Sequence, residues 1–195
     1  MKKQTLSKIL IVFSMAAFSG TMLRAVSATT QDGPAAAVQK ARVERGAYLV
    51  TMMGCNDCHT PWKMGAQGPE PDMTRALTGH PSDMVLPPPP AAAGPWIWHG
   101  AATNTAFAGP WGVSFTANLT PDKDTGLGSW TEEMFIATMR TARHQGKGRP
   151  ILPPMPVKMI GKANDEDLKS IFAYLQSLPP VKNRVPAPID PEEKR

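Results

Sequence analysis

The chain has 195 residues and 42% hydrophobic content, enough for a packed core and too much for a disordered chain. Lys and Arg number 21 against 16 Asp and Glu, a formal net charge of +5, and 16 Gly with 21 Pro call for extensive loops. No apolar run of about 18 residues and no long block of like charge occurs, which argues against a multispan membrane protein and a charge-driven disordered tail.

Residues 1–28 read as a secretory signal. Lys2, Lys3 and Lys8 give a positive start, Ile9 to Ala17 an apolar stretch, and Val26-Ser27-Ala28 small residues for cleavage after Ala28. Arg24 interrupts the apolar run and favours cleavage over a retained anchor. The signal holds four cations and no acid, so residues 29–195 carry 17 basic and 16 acidic residues, a net of +1. The apparent basicity belongs to the signal, and a nucleic-acid partner is not expected, because such a groove needs clustered cations. The expected location is periplasmic, with no integral membrane span after cleavage. Residues 29–35 are expected to be a flexible N-terminus.

Ala36 to Met53 reads as a helix, with Val38, Ala41, Arg45 and Tyr48 at three- and four-residue spacing. Gly46 lies inside it, where it costs up to about 1 kcal/mol relative to Ala; a close helix crossing is one reason for it, and a simply tolerated Gly is the other. Then comes Cys55-Asn56-Asp57-Cys58-His59. Cys-x-x-Cys-His is the attachment signature of c-type haem: two thiols one helical turn apart add to the two vinyl groups, and the adjacent His lies under the iron. A thioredoxin-like motif would need a βαβ context, a zinc site about four ligands, and a plain disulfide no His. None of these fits the flanking sequence.

Residues 64–110 show no clear periodicity and are punctuated by Pro69, Pro71, Pro81, Pro87 to Pro90 and Pro95. Met73–Thr78 is a candidate short helix, and Pro87–Pro90 should be extended polyproline. Trp96, Trp98, Phe107 and Trp111 are too apolar for a free linker, so the segment is expected either to wrap the haem edge or a partner-facing surface, or to form satellite core. Asp122, Asp124 and Glu133 have part of a calcium-loop spacing, but Leu127 occupies the required Gly position, so a turn before a helix is expected.

Thr131–Arg143 reads as a helix whose Met134 and Met139 suit the core. Met155 stands apart, in Leu152-Pro153-Pro154-Met155-Pro156, a stiff loop that presents a thioether without a helix carrying it. It is the leading candidate for a second axial ligand; Met159 is its nearest rival, followed by His80, His99 and His144. Asn164 is a good N-cap for a helix with Asp165, Glu166 and Asp167 in its first turn. Leu168, Ile171, Phe172, Leu175 and Leu178 form its apolar face, and Pro179-Pro180 ends it. Residues 183–195 are left as a C-terminal tail.

These motifs resemble the class I cytochrome c family, and most of all the cytochrome c domains that serve membrane-bound alcohol and aldehyde dehydrogenases. The matching residues are Arg45-Gly46-Ala47-Tyr48-Leu49-Val50 before Cys55–His59, Pro110-Trp111-Gly112, Ala117-Asn118-Leu119-Thr120-Pro121-Asp122, Thr125-Gly126-Leu127-Gly128 before Trp130, Pro154-Met155-Pro156, and Ala173-Tyr174-Leu175. The resemblance implies an all-α fold around one covalent haem, with a long Pro- and Trp-rich loop insertion over 64–110 in a cytochrome domain over 36–182. The first and last helices would cross near Gly46 and Tyr174. It implies haem c, iron held axially by His59 and Met155, and Cys55 and Cys58 as anchors. Gly68-Pro69 is a candidate acceptor for the His59 N–H. Those dehydrogenase subunits carry several haem domains and a membrane anchor, whereas this chain has one haem motif.

The expected function is therefore an exported monohaem electron carrier, not an enzyme, working between a dehydrogenase donor and an oxidase or cytochrome acceptor. The rivals are a haem subunit of a multi-subunit dehydrogenase and a peroxidase-like enzyme with a displaceable sixth ligand, for which His99 or His144 would be the distal His.

Overall fold

The computed structural model describes residues 33–90 and 95–191. The expected signal, residues 29–32 of the flexible N-terminus and the end of the tail lie outside the described residues.

Helix α1 (Pro34–Met52) opens on Pro34, which lacks an N–H at a position where it would go unused. The stripe Val38, Ala41, Arg45, Tyr48 is not its inner face: Val38 and Tyr48 are exposed, and Gly46, Leu49 and Val50 are buried. That face crosses α5 (Asp165–Ser177). A Cβ on Gly46 would run into the Ser170 carbonyl and stand 2.7 Å from Tyr174 Cβ, so the crossing needs a residue with no side chain. At the rim Arg45 Nε donates to Asp167 Oδ1 at 2.9 Å, a pair half in solvent that adds little stability.

The α5 reading holds in detail. Asn164 Oδ1 accepts from Asp167 N at 2.7 Å, and Leu168, Ile171, Phe172 and Leu175 are buried. The helix ends at Ser177, ahead of Pro179. Helix α3 (Glu132–Thr141) is capped by the Thr131 hydroxyl and ends at Ala142, in the left-handed region at φ 54°. Phe135 of α3 meets Phe172 of α5 with centroids 5.4 Å apart. Helix α2 (Cys55–His59) follows Gly54, whose φ of 66° turns the chain sharply out of α1, and α4 (Val157–Ile160) follows the Met155 loop.

The expected all-α fold is corrected by two antiparallel sheets. Strands β1 (Trp62–Gly65) and β2 (Gly68–Pro71) form one hairpin. Strands β3 (His99–Gly100), β4 (Ala106–Gly109) and β5 (Gly112–Phe115) form a three-stranded sheet in that order. The β1–β2 and β4–β5 loops have two residues each, with Gly68 (φ 121°) and Gly112 (φ 97°) directly after them at positive φ, whereas residues 101–105 join β3 to β4. The strands are too short for an alternating pattern to show, and β4 buries three successive residues, Ala106, Phe107 and Ala108. Part of the expected loop insertion, residues 64–65, 68–71, 99–100 and 106–109, is therefore sheet. Met73–Arg75 is a single 3-10 turn capped by Asp72, shorter than the helix expected there.

The aromatic residues of this region divide. Phe107 is buried and Trp111 covers Gly109, while Trp96 and Trp98 are exposed. The Asp122 carboxylate accepts from Asp124 N, Thr125 N and the Thr125 hydroxyl, and so closes the turn before α3. Asn183 is buried; its Nδ2 donates to the carbonyls of Thr78 at 2.7 Å and His80 at 2.9 Å. Ile189 bridges Val113 of β5, so the tail returns to the sheet edge at that residue.

Candidate haem-binding site

An apolar cavity of about 340 Å3 lies between α2, β5, α3 and the loop before α4. Cys55, Cys58, His59 and Met155 all line it, although Met155 is far from the others in sequence. Short α2 fixes the first three: one turn separates the thiols, and His59 ends that turn. Both cysteines are free and half-buried. Burial pushes the Cys55 thiol up to about 11 and raises that of Cys58, with Asp57 adding in each case.

His59 is buried, and its Nδ1 donates to the Ala117 carbonyl at 2.8 Å. A carbonyl only accepts, so the proton sits on Nδ1 and the Nε2 lone pair is left for another partner. Burial lowers the pKa of this imidazole, and the Ala117 bond opposes that shift. Gly68-Pro69 does not supply the acceptor; those residues belong to β2.

Ala117 is held from both sides. Asn118 is buried, its Nδ2 donating to the Val181 carbonyl at 2.8 Å and its Oδ1 accepting from Thr120 N and the Thr120 hydroxyl. Gly79 has φ 77° and donates its N–H to the His59 carbonyl at 2.8 Å. A Cβ there would stand 2.6 Å from the Ala117 oxygen. Gly79 and the hydrogen-bonding role of Asn118 escaped the sequence reading; the Asn-Leu-Thr-Pro-Asp match was the signal that pointed near them.

Met155 is half-buried against the core. Its loop is tied to β5 where Ser114 Oγ donates to the Pro153 carbonyl at 2.7 Å. Met159 is exposed and absent from the cavity wall. His80 is fully buried, with Nδ1 2.9 Å from the Thr105 hydroxyl, and takes no part in the wall. His99 lies on β3, also outside it. His144 does line the cavity, edge-on to Trp130 at 5.0 Å, with Arg149 nearby in the same wall. Thr116 Oγ1 is buried in the wall without a hydrogen-bond partner among the described residues. An imidazole and a thioether are donors of the kind that hold haem iron, and paired thiols of the kind that bond its periphery; among the described residues no group of three or more His, Cys, Asp or Glu could hold a bare metal ion.

Fold and site together define a small helical frame, with sheets added, around a cavity that carries a haem-attachment motif. The chain is similar to cytochrome subunits of dehydrogenases. It is 27% identical over 176 residues to the fructose dehydrogenase cytochrome subunit of Gluconobacter japonicus, covering 87% of this chain and 29% of that protein. It is 24% identical over 150 residues to the cytochrome c subunit of the quinone alcohol dehydrogenase of Gluconobacter oxydans, covering 76% and 24%. It is 35% identical over 104 residues to a nicotinate dehydrogenase subunit of Pseudomonas putida, covering 50% and 9%. The chain thus spans less than a third of the length of these relatives. No family profile matches it. The resemblance read from its motifs, to the cytochrome subunits of dehydrogenases, is shown by these similarities.

Proposed function

We propose that the chain is an exported monohaem c-type cytochrome that passes single electrons between a dehydrogenase and a downstream respiratory acceptor. The observation that carries this reading is the convergence of Cys55, Cys58, His59 and Met155 on one apolar cavity. Cys55 and Cys58 would hold the haem by thioether bonds, and His59, through Nε2, and Met155 would hold its iron. The bound haem supplies one-electron redox chemistry.

The chain's own residues do the rest. Ala117 fixes the His59 tautomer and ring plane. The Pro-rich loop and Ser114 hold the Met155 thioether in place. Leu127, Phe135, Ile160 and Leu175 in the cavity wall keep water out, which with thioether ligation favours the reduced state. With His59 and Met155 both holding the iron, no position would be left for substrate, as a carrier and not a peroxidase requires. The relatives, named as dehydrogenase cytochrome subunits, support a dehydrogenase as partner. The signal-like residues 1–28 support export, and among the described residues no helix is long and apolar enough to cross a membrane.

The test is expression with its signal in a host that matures c-type cytochromes, then denaturation and mass measurement of the chain. One haem retained through denaturation, and lost in the Cys55→Ala/Cys58→Ala variant, is expected. A wild-type chain that emerges without haem overturns the reading.

A further inference from the structure

The fifteen residues between Asp83 and His99 carry no charge, and their only hydrogen-bonding side-chain groups are the indole N–H groups of Trp96 and Trp98. Residues this apolar are usually found inside a protein. Here the described ones lie largely outside: Val85 is 92% exposed, Trp96 71%, Ile97 63% and Trp98 44%. Pro87, Pro88 and Pro90 are exposed as well. A contiguous apolar surface of this kind marks an interaction site.

Its two halves differ in chemistry. Pro87–Pro90 is held extended, because proline fixes φ at about −65° and a residue before proline avoids the helical region. The resulting polyproline rod offers carbonyls, has no N–H groups and makes no internal hydrogen bonds. It leaves the body of the protein just after Ser82, whose N–H donates to Oδ1 of the buried Asn183 at 2.9 Å.

The other half is a groove lined by Pro95, Trp96, Ile97, Trp98, His99 and Gly100. The sheet fixes it in place: His99–Gly100 is β3, and Trp98 meets the buried Phe107 of β4 edge-on with centroids 5.9 Å apart. Neither indole N–H has a partner among the described residues, and His99 Nε2 is buried without one. Aromatic faces with spare indole donors are the surface on which a polyproline rod docks. The rod's carbonyls are the acceptors that the groove lacks. Within one chain the two halves do not cover each other, as the exposure of both shows.

We propose that a second copy of this chain covers the patch, with Pro87–Pro90 of each copy lying in the Trp96–Trp98 groove of the other. Rod and groove lie on one chain and close in sequence, so the exchange is reciprocal about a two-fold axis and closes at two copies. A lipid surface would accept the Trp rings, but the proline carbonyls would lose their water there and meet no donor. Eleven described residues per copy, 84–90 and 95–98, are fewer than the roughly 20–30 on each side of a standard interface, so the dimer is weak and concentration-dependent. The inference does not rest on the haem reading.

The experiment is sedimentation equilibrium of the exported, purified chain from about 1 μM to about 1 mM. The mass should rise from one chain to two and stop there. Salt of about 0.5 M should leave the dimer in place, since the contact holds no charge. Trp96→Ala removes the groove, and Pro87→Ser/Pro88→Ser/Pro90→Ser removes the rod. Each should raise the dissociation constant at least about tenfold, with unchanged circular dichroism and thermal midpoint because all four residues are exposed. If Trp96→Ala fails to fold, Trp96→Gln replaces it.

A 1:1 mixture of the two variants keeps one intact contact, the rod of the first in the groove of the second. The mixture should associate more tightly than either variant alone, which unspecific adhesion would not reproduce. Val38→Ser, at an exposed apolar residue of α1 outside the patch, should leave the dimer unchanged. A chain that stays monomeric to about 1 mM, growth beyond two copies, an unchanged dissociation constant in either variant, or a mixture no tighter than its components would each overturn the proposal. So would Trp96-dependent binding to phosphatidylcholine vesicles by a chain that remains monomeric.

Discussion

His59 and Ala117, 58 residues apart, are joined by a hydrogen bond of 2.8 Å from ring Nδ1 to backbone oxygen. This bond decides which ring nitrogen is free, and the residues around Ala117 hold its oxygen in place. Gly79 packs against it. Gly79→Ala would combine a positive φ with a Cβ 2.6 Å from that oxygen. The expected cost is about 1–3 kcal/mol in denaturant unfolding of the haem-loaded protein, with a shifted midpoint potential as the ring loses its acceptor.

Asn118 makes the second support. Asn118→Ala removes bonds to Val181, Thr120 and Thr125 from a buried site and leaves the buried Thr120 amide without its partner. A loss of about 2–4 kcal/mol is expected by guanidinium unfolding. Asn118→Asp keeps the acceptor but not the donor to Val181, so it should recover only part of that loss.

The sequence made some of this site legible and not the rest. Cys55, Cys58 and His59 are contiguous, and their spacing carries the chemistry by itself. Met155 stood out because prolines on both sides left it no helical reason to be there. The Asn164 cap and the α5 face could be read because both are local. Ala117 could not be singled out, because its contribution is a backbone oxygen and any residue has one. The sheets escaped because four-residue strands show no period, and because Phe107 and its neighbours are buried on both sides of β4. The α1 stripe misled because the true inner face is built around Gly46, which adds nothing to an apolar pattern.

The helix crossing gives a third prediction. Gly46→Leu forces a side chain against the Ser170 carbonyl, a backbone atom that cannot turn aside. Thermal unfolding should show a loss of about 3 kcal/mol, since α1 and α5 must separate to admit it. Gly33→Leu, at a position where an added Cβ meets nothing within 4 Å, should change stability little.

His80 gives the pH dependence. Burial holds its pKa below the ordinary 6.5, with the Met84 carbonyl opposing and Arg75 adding to the shift. The unfolded chain therefore binds a proton at higher pH than the folded one. The neutral ring's contribution is complete above 6.5 and declines as pH falls below it. Denaturant midpoints of the haem-loaded protein between pH 8 and pH 5 should fall on acidification, and His80→Gln should show a shallower fall. Parallel curves for the two proteins would remove His80 as the cause.

The central claim is that Met155 is the second axial ligand of a haem held at Cys55, Cys58 and His59. The most direct measurement is the absorption spectrum of the oxidised, haem-loaded protein in the wild type and in Met155→Ala, read at the weak long-wavelength band of methionine-bound ferric haem. The band should be present in the wild type, absent in Met155→Ala and retained in Met159→Ala. Its survival in Met155→Ala, or its absence from the wild type, would contradict the assignment.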